Sequence, residues 1–148
     1  MKILMVCLGN ICRSPLAEGI MRHLVKEQGL DREIDSAGTG GWHVGAGPDR
    51  RSVRAARNHG VDISLQVCRQ FRRSDFNEFD LILVMDKNNR SDVLAMAPDE
   101  QAAAKVKLLL GDKEVPDPYY DDDLFEPVFK LIEQGCKDVI RQLTKAGN

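Results

Sequence analysis

The chain lacks any apolar run near the roughly 20 residues that a membrane-spanning helix needs, and its N-terminal apolar stretch is too short for the core of a signal peptide. It also lacks a charge excess. Its 21 basic and 23 acidic side chains leave a net charge of −2, which gives no global electrostatic case for nucleic acid or an anionic membrane. His23, His43 and His59 are scattered, and Cys68 and Cys136 form no second close pair beside Cys7 and Cys12. The spacing of a structural zinc site is therefore missing, and no metal is expected. Four cysteines without a secretory signal do not make a disulfide scaffold, because the cytosol keeps ordinary thiols reduced. These absences predict a cytoplasmic protein that binds neither nucleic acid nor membrane.

What is present is a chain of 148 residues, 43% hydrophobic, long enough for one domain with a real core. No repeat, low-complexity segment or linker interrupts it, so residues 1–148 read as a single domain. The run Ile3-Leu4-Met5-Val6 predicts a first strand buried on both faces. Glu33 to Ala37 reads as a short second strand, Asp80 to Asp86 as a central third, and Val106 to Leu110 as a fourth. A first helix follows Ser14-Pro15 with Ser14 as its cap, and Glu18 suits its N-terminal end. A second opens at Asp49 and closes near Gly60. A third opens at Asn88 or Asn89 and stops before Pro98. Phe125, Val128, Phe129, Ile132, Cys136, Val139, Ile140 and Leu143 recur at three-or-four spacing and predict a long closing helix. The alternation specifies an α/β fold: a doubly wound, four-stranded parallel sheet with helices on both faces, in which ligands bind beyond the carboxyl ends of the strands.

Chemistry concentrates in Val6-Cys7-Leu8-Gly9-Asn10-Ile11-Cys12-Arg13-Ser14-Pro15, where the first strand gives way to the first helix. A short loop there can curl around a tetrahedral oxyanion, offering backbone N–H groups and a helix N-terminus, while Arg13 adds a planar fork of donors. Cys7 at its base supplies a nucleophile as thiolate. Thiolate attack on phosphorus needs an acid for the departing oxygen. Asp117, in Val115-Pro116-Asp117-Pro118-Tyr119-Tyr120, is the best candidate: the prolines stiffen its loop, which follows the fourth strand at the same sheet edge. Asp121, Asp122 and Asp123 read as acids before the last helix rather than as metal ligands. Arg50, Arg51, Arg54 and Arg57 read as a solvated helix face. Trp42 and His43 fall in a glycine-rich surface loop, His59 reads as structural, and Cys68 and Cys136 as ordinary thiols.

The Cys7 segment and Asp117-Pro118-Tyr119-Tyr120, with Ser36-Ala37-Gly38-Thr39, Phe79-Asp80 and Met85-Asp86, resemble the low-molecular-weight protein tyrosine phosphatases, in order and over essentially the whole chain. The resemblance implies that Cys7 forms a phosphocysteine, that Arg13 clamps the phosphoryl oxygens, and that Asp117 acts as general acid and then general base, without a cofactor. Leu8, Gly9, Asn10, Ile11, Cys12, Arg13 and Ser14 would form the phosphate loop, with Ser14 bonded to the thiolate and Asn10 and Ser36 as supports. Ile11, Trp42, Tyr119 and Tyr120 would wall a cleft for a phenyl ring, and Cys12 would form a reversible disulfide with Cys7. Phosphotyrosine-containing proteins would be the partners, tyrosine kinases of polysaccharide export among them in a bacterium, met by a monomer or weak dimer. Gln66 departs from the pattern, since relatives often carry His there. Two alternatives share the scaffold. Thiol-dependent arsenate reductases relay electrons through further cysteines. Protein arginine phosphatases commonly have Thr in place of Ile11 and a Gly-containing acid loop in place of Tyr119-Tyr120.

Overall fold

The computed structural model describes residues 1–145. Lys2–Cys7 forms β1, and Ile3, Leu4, Met5 and Val6 within it are wholly buried, as a strand covered on both faces requires. With β2 (Glu33–Gly38), β3 (Leu81–Val84) and β4 (Val106–Leu108) it makes a four-stranded parallel sheet of order β2-β1-β3-β4. The strand pleat divides the core. Ile3, Met5, Leu83 and Met85 face the layer built by α1 (Arg13–Glu27), α2 (Arg50–Asn58) and α6 (Phe125–Lys145). Leu4, Val6, Ile82 and Val84 face the other layer, where Phe71 and Phe79 join residues of α3 (Asp75–Glu78), α4 (Lys87–Leu94) and α5 (Glu100–Ala103). Full burial of each large aliphatic side chain contributes about 1.5–3 kcal/mol, so both faces of the sheet are necessary to the fold. The α/β architecture read from the sequence is the one observed, and α6 buries its apolar stripe from Phe125 to Ile140.

Three local readings are corrected. α3 and α5, four residues each, were not expected, because a single turn shows no periodicity. α4 opens at Asp86 rather than Asn88 or Asn89: the Asp86 carboxylate accepts the Asn89 N–H at 2.7 Å, the usual service of an N-cap. Ser14 does not cap α1. The helix starts at Arg13 with no side-chain cap, and Ser14 lies wholly buried inside its first turn.

β1 has β2 on one side and β3 on the other, so the connections leaving β1 and β3 diverge and open a crevice at their carboxyl ends, the usual ligand site in this class of sheet. Cys7 ends β1, and Asp86 follows the end of β3.

Candidate active site

The segment from Cys7 to Ser14 folds back on itself around Asn10, whose φ of 58° is the single positive value found at a non-glycine among the described residues. That conformation costs an ordinary L-residue about 1–2 kcal/mol, but Asn tolerates it by bonding locally. Here its bonding is complete. Asn10 Nδ2 donates to Ser14 Oγ at 2.7 Å and to Ser36 Oγ at 3.0 Å, its Oδ1 accepts the Arg69 N–H at 3.0 Å, and its own N–H points to Cys7 Sγ at 3.3 Å. Arg69 is itself fixed, because its guanidinium bridges Asp35 and the wholly buried Asp75. Ser14 Oγ stands 3.0 Å from Cys7 Sγ. That hydroxyl accepts from Asn10, and its proton has a choice between Ala37 O at 3.5 Å and the nearer sulfur, so it can turn to a thiolate.

Along the same loop, the backbone N–H groups of Gly9, Ile11, Cys12, Arg13 and Ser14 find no acceptor among the described residues. Five unpaired donors on a loop that leads into a helix N-terminus form an oxyanion cradle. Gly38 closes its floor: a Cβ there would lie 2.9 Å from Leu8 O and 3.0 Å from Asn10 N. Arg13 is 3% exposed, and its NH1 donates to Asp86 Oδ2 at 2.8 Å and to Val115 O at 2.9 Å. Nε and NH2 have no hydrogen-bond acceptor among the described residues, NH2 standing 4.0 Å from Asp117 Oδ2. One nitrogen thus anchors the guanidinium and leaves the opposite edge for an anion. Burial alone would lower the Arg13 pKa, but the charges of Cys7 and Asp86 outweigh it and push it up.

Asp117 arrives from the loop after β4, with its Oδ1 accepting the Tyr119 N–H at 3.1 Å. Cys7, Leu8, Gly9, Ile11, Cys12, Arg13, Trp42, His43, Asp117, Tyr119 and Tyr120 line a single cleft of about 330 Å³. The sequence-assigned nucleophile, clamp, acid and aromatic walls are therefore brought together, while Asn10, Ser14 and Ser36 bond one another and do not line the cleft. Trp42 and Tyr120, at 72% and 91% exposure, stand at the mouth. Cys12 is also in the cleft wall, and burial, aided by the charges of Asp49 and Cys7, pushes its thiol up to about 12. It stays protonated at neutral pH.

Several residues of the site were not read from the sequence as parts of it. Asp86 supplies the counter-charge that a buried Arg13 requires, and its place after the strand beside β1 was the available signal. Glu18 is not a surface acid at a helix end. It is buried, accepts the Ser36 hydroxyl at 2.6 Å and Arg22 Nε at 2.9 Å, and burial raises its pKa despite these bonds. Cys68 is more than an inert thiol, since its Sγ–H donates to Asn10 O at 2.8 Å. Gln66 makes no bond to this network: its Nε2 donates to Pro15 O at 3.1 Å, and its Oε1 is buried without a partner. His43 packs on the phosphate loop, with ring carbon Cδ2 3.3 Å from where a Gly9 Cβ would be. Arg51 departs from the solvated face assigned to it together with Arg50, Arg54 and Arg57, and grips Asp49 and Asp122. His59 has the structural place expected, stacked on Phe129 at 4.2 Å and paired with Glu126.

Among the described residues, no group of three or more Asp, Glu, His or Cys side chains is arranged to hold a metal ion, and no helix is long and apolar enough to cross a membrane. The family model described as low molecular weight phosphotyrosine protein phosphatase matches residues 2–148. A low molecular weight protein-tyrosine-phosphatase of Streptomyces coelicolor is 42% identical over 89% of this chain and 87% of its own. The crystal structure of YfkJ from Bacillus subtilis superposes with a TM-score of 0.93 at 38% identity, covering 100% of this chain and 97% of that one. A Drosophila arginine phosphatase superposes with a TM-score of 0.89 at 33% identity, covering 97% and 98%. In its fold and near end to end in its sequence, this chain belongs to the low molecular weight phosphotyrosine protein phosphatase family.

Proposed function

We propose that this protein hydrolyses phosphotyrosine in other proteins through a phosphocysteine intermediate, residues 1–148 acting as one catalytic domain in the cytoplasm without a metal or organic cofactor. One observation carries the reading: Cys7, Arg13 and Asp117, from the end of β1, the start of α1 and the loop after β4, meet in one cleft with aromatic walls. The phosphoryl oxygens take the unpaired loop N–H groups and the Nε–NH2 edge of Arg13. Cys7 thiolate attacks phosphorus, the P–O bond to the phenol breaks, and Asp117 gives its proton to the departing oxygen. Asp117, now a carboxylate, takes a proton from the water that attacks the phosphocysteine. Inorganic phosphate leaves, and the thiolate is restored with Ser14 donating to it.

Ile11, Trp42, Tyr119 and Tyr120 give a flat phenyl ring apolar and aromatic surface on which to pack. The likeness to an arginine phosphatase supports phosphoarginine as the second reading, but Ile11 and the paired tyrosines favour the phenyl ester. Cys12 serves as a redox partner. Peroxide transfers oxygen to Cys7 to give a sulfenic acid, and Cys12 displaces water from it to form a disulfide that a thiol reductant reopens.

The deciding experiment compares kcat/KM on phosphotyrosyl and phosphoarginyl peptides of one sequence, with thioredoxin-coupled arsenate reduction alongside. The reading expects phosphotyrosine to be preferred and Asp117→Ala to lose about 10²–10⁴-fold on it. Preference for phosphoarginine, or arsenate turnover at a comparable rate, would overturn it.

A further inference from the structure

One side chain links the phosphate loop's neighbour Asp49 to Tyr119 of the acid loop. Arg51 lies in the first turn of α2. Its Nε and NH2 bond Asp49 at 3.0 and 2.9 Å, its NH1 bonds Asp122 at 2.6 Å, and its guanidinium rests 4.5 Å from the centre of the Phe125 ring and 5.4 Å from that of Tyr119. Each end of this clasp reaches the chemistry. Asp49 donates its backbone N–H to Ile11 O of the phosphate loop at 2.8 Å. Tyr119 donates its backbone N–H to the Asp117 carboxylate. A short run of directional contacts therefore leads from the Ile11 carbonyl through Asp49, Arg51 and Tyr119 to the carboxyl group of Asp117.

From this geometry we infer that Arg51 is a positioning residue for the acid step: by clasping Asp49, Asp122 and the Tyr119 ring, it sets the place of the Asp117 carboxyl relative to Cys7. The inference rests on Asp117 being the general acid. A planar fork stacked on rings and bonded to two carboxylates is a role that Arg fills and Lys does not. Proton transfer is sensitive to this because a displacement of about 1 Å can cost 10²-fold in rate.

The test is the dependence of kcat/KM on leaving-group pKa, measured with aryl phosphates from dinitrophenyl to phenyl. Dinitrophenolate departs without a proton, whereas phenolate needs one. Arg51→Met should lose roughly 10- to 100-fold on phenyl phosphate and at most about threefold on dinitrophenyl phosphate, steepening the dependence. Arg51→Lys should fall between. Asp122→Asn, altered at a carboxylate that is 81% exposed, keeps the question answerable should Arg51→Met fold poorly, and should steepen the dependence in the same sense. In an Asp117→Asn background, Arg51→Met should add no further steepening.

A wild-type dependence in the Arg51 and Asp122 variants would overturn the role given to Arg51, as would an undiminished Arg51→Met effect in the Asp117→Asn background. A wild-type dependence in Asp117→Asn alone would overturn the acid assignment itself, which separates the two failures.

Discussion

Replacing Asn10 by Gly and by Ala separates the two reasons for having Asn at the turn of the phosphate loop. Asn10→Gly keeps the backbone free to hold φ at 58° but deletes the bonds to Ser14, Ser36 and the Arg69 N–H. Each such bond is worth about 1 kcal/mol net, and stranding a buried donor adds roughly 1–3 kcal/mol. Ser14 and Ser36 keep other partners in Cys7 and Glu18, so the stranded group is the Arg69 N–H, and the expected loss is about 4–6 kcal/mol. Asn10→Ala suffers the same losses and also the steric cost of the left-handed conformation, about 1–2 kcal/mol. The greater freedom of Gly in the unfolded chain offsets roughly 0.5–1 kcal/mol of that difference. Urea unfolding followed by far-ultraviolet circular dichroism should rank wild type above Asn10→Gly, and Asn10→Gly above Asn10→Ala by about 1 kcal/mol. Both variants should bind inorganic phosphate more weakly as competitive inhibitor, because the unpaired N–H groups lose their common orientation. If Asn10→Ala matched or exceeded Asn10→Gly, the backbone strain argument would be wrong; if both unfolded like wild type, so would the account of the hydrogen bonds.

Gly38→Ala should destabilise by about 1–3 kcal/mol and weaken phosphate inhibition, since its Cβ meets backbone atoms of Leu8 and Asn10 rather than a movable side chain; wild-type values for both would refute the close approach. Glu18 binds its proton more tightly folded than unfolded, because burial raises its pKa. Its contribution to stability is therefore greatest below the carboxyl's ordinary value of 4.5 and declines as pH rises through the folded value. The unfolding free energy of Glu18→Gln relative to wild type should accordingly improve between pH 4.5 and pH 7, and a pH-independent difference would contradict that sign. Cys12→Ser, treated with peroxide and then with reductant, should recover less activity than wild type as Cys7 passes beyond sulfenic acid; equal recovery would remove Cys12 from the redox role.

The sheet was legible because β1 and β3 are apolar at every buried position and their turns are marked by Gly9-Asn10 and Asp86-Lys87. The chemistry was legible because Cys7 and Arg13 fall within one loop and Asp117 lies between two prolines. Ser14 shows where a local rule failed: its place before Pro15 suits a cap, yet Asn10 and Cys7 draw the hydroxyl inward and the helix begins without one. Arg51 and Glu18 were misjudged because helical spacing describes only neighbours on one helix. Their partners Asp122, Phe125 and Ser36 are assembled by the tertiary fold. Asp86 was visible as a strand end but not as the anchor of Arg13, a contact across 73 residues.

The central claim is that the phosphoryl group passes through Cys7. Rapid acid quench of the enzyme turning over p-nitrophenyl phosphate, followed by mass spectrometry of its peptides, tests it directly. The account predicts a single phosphoryl adduct on the peptide carrying Cys7, formed as fast as p-nitrophenol is released in the first turnover, with neither adduct nor turnover in Cys7→Ser. An adduct on another residue, or turnover that survives in Cys7→Ser, would contradict it.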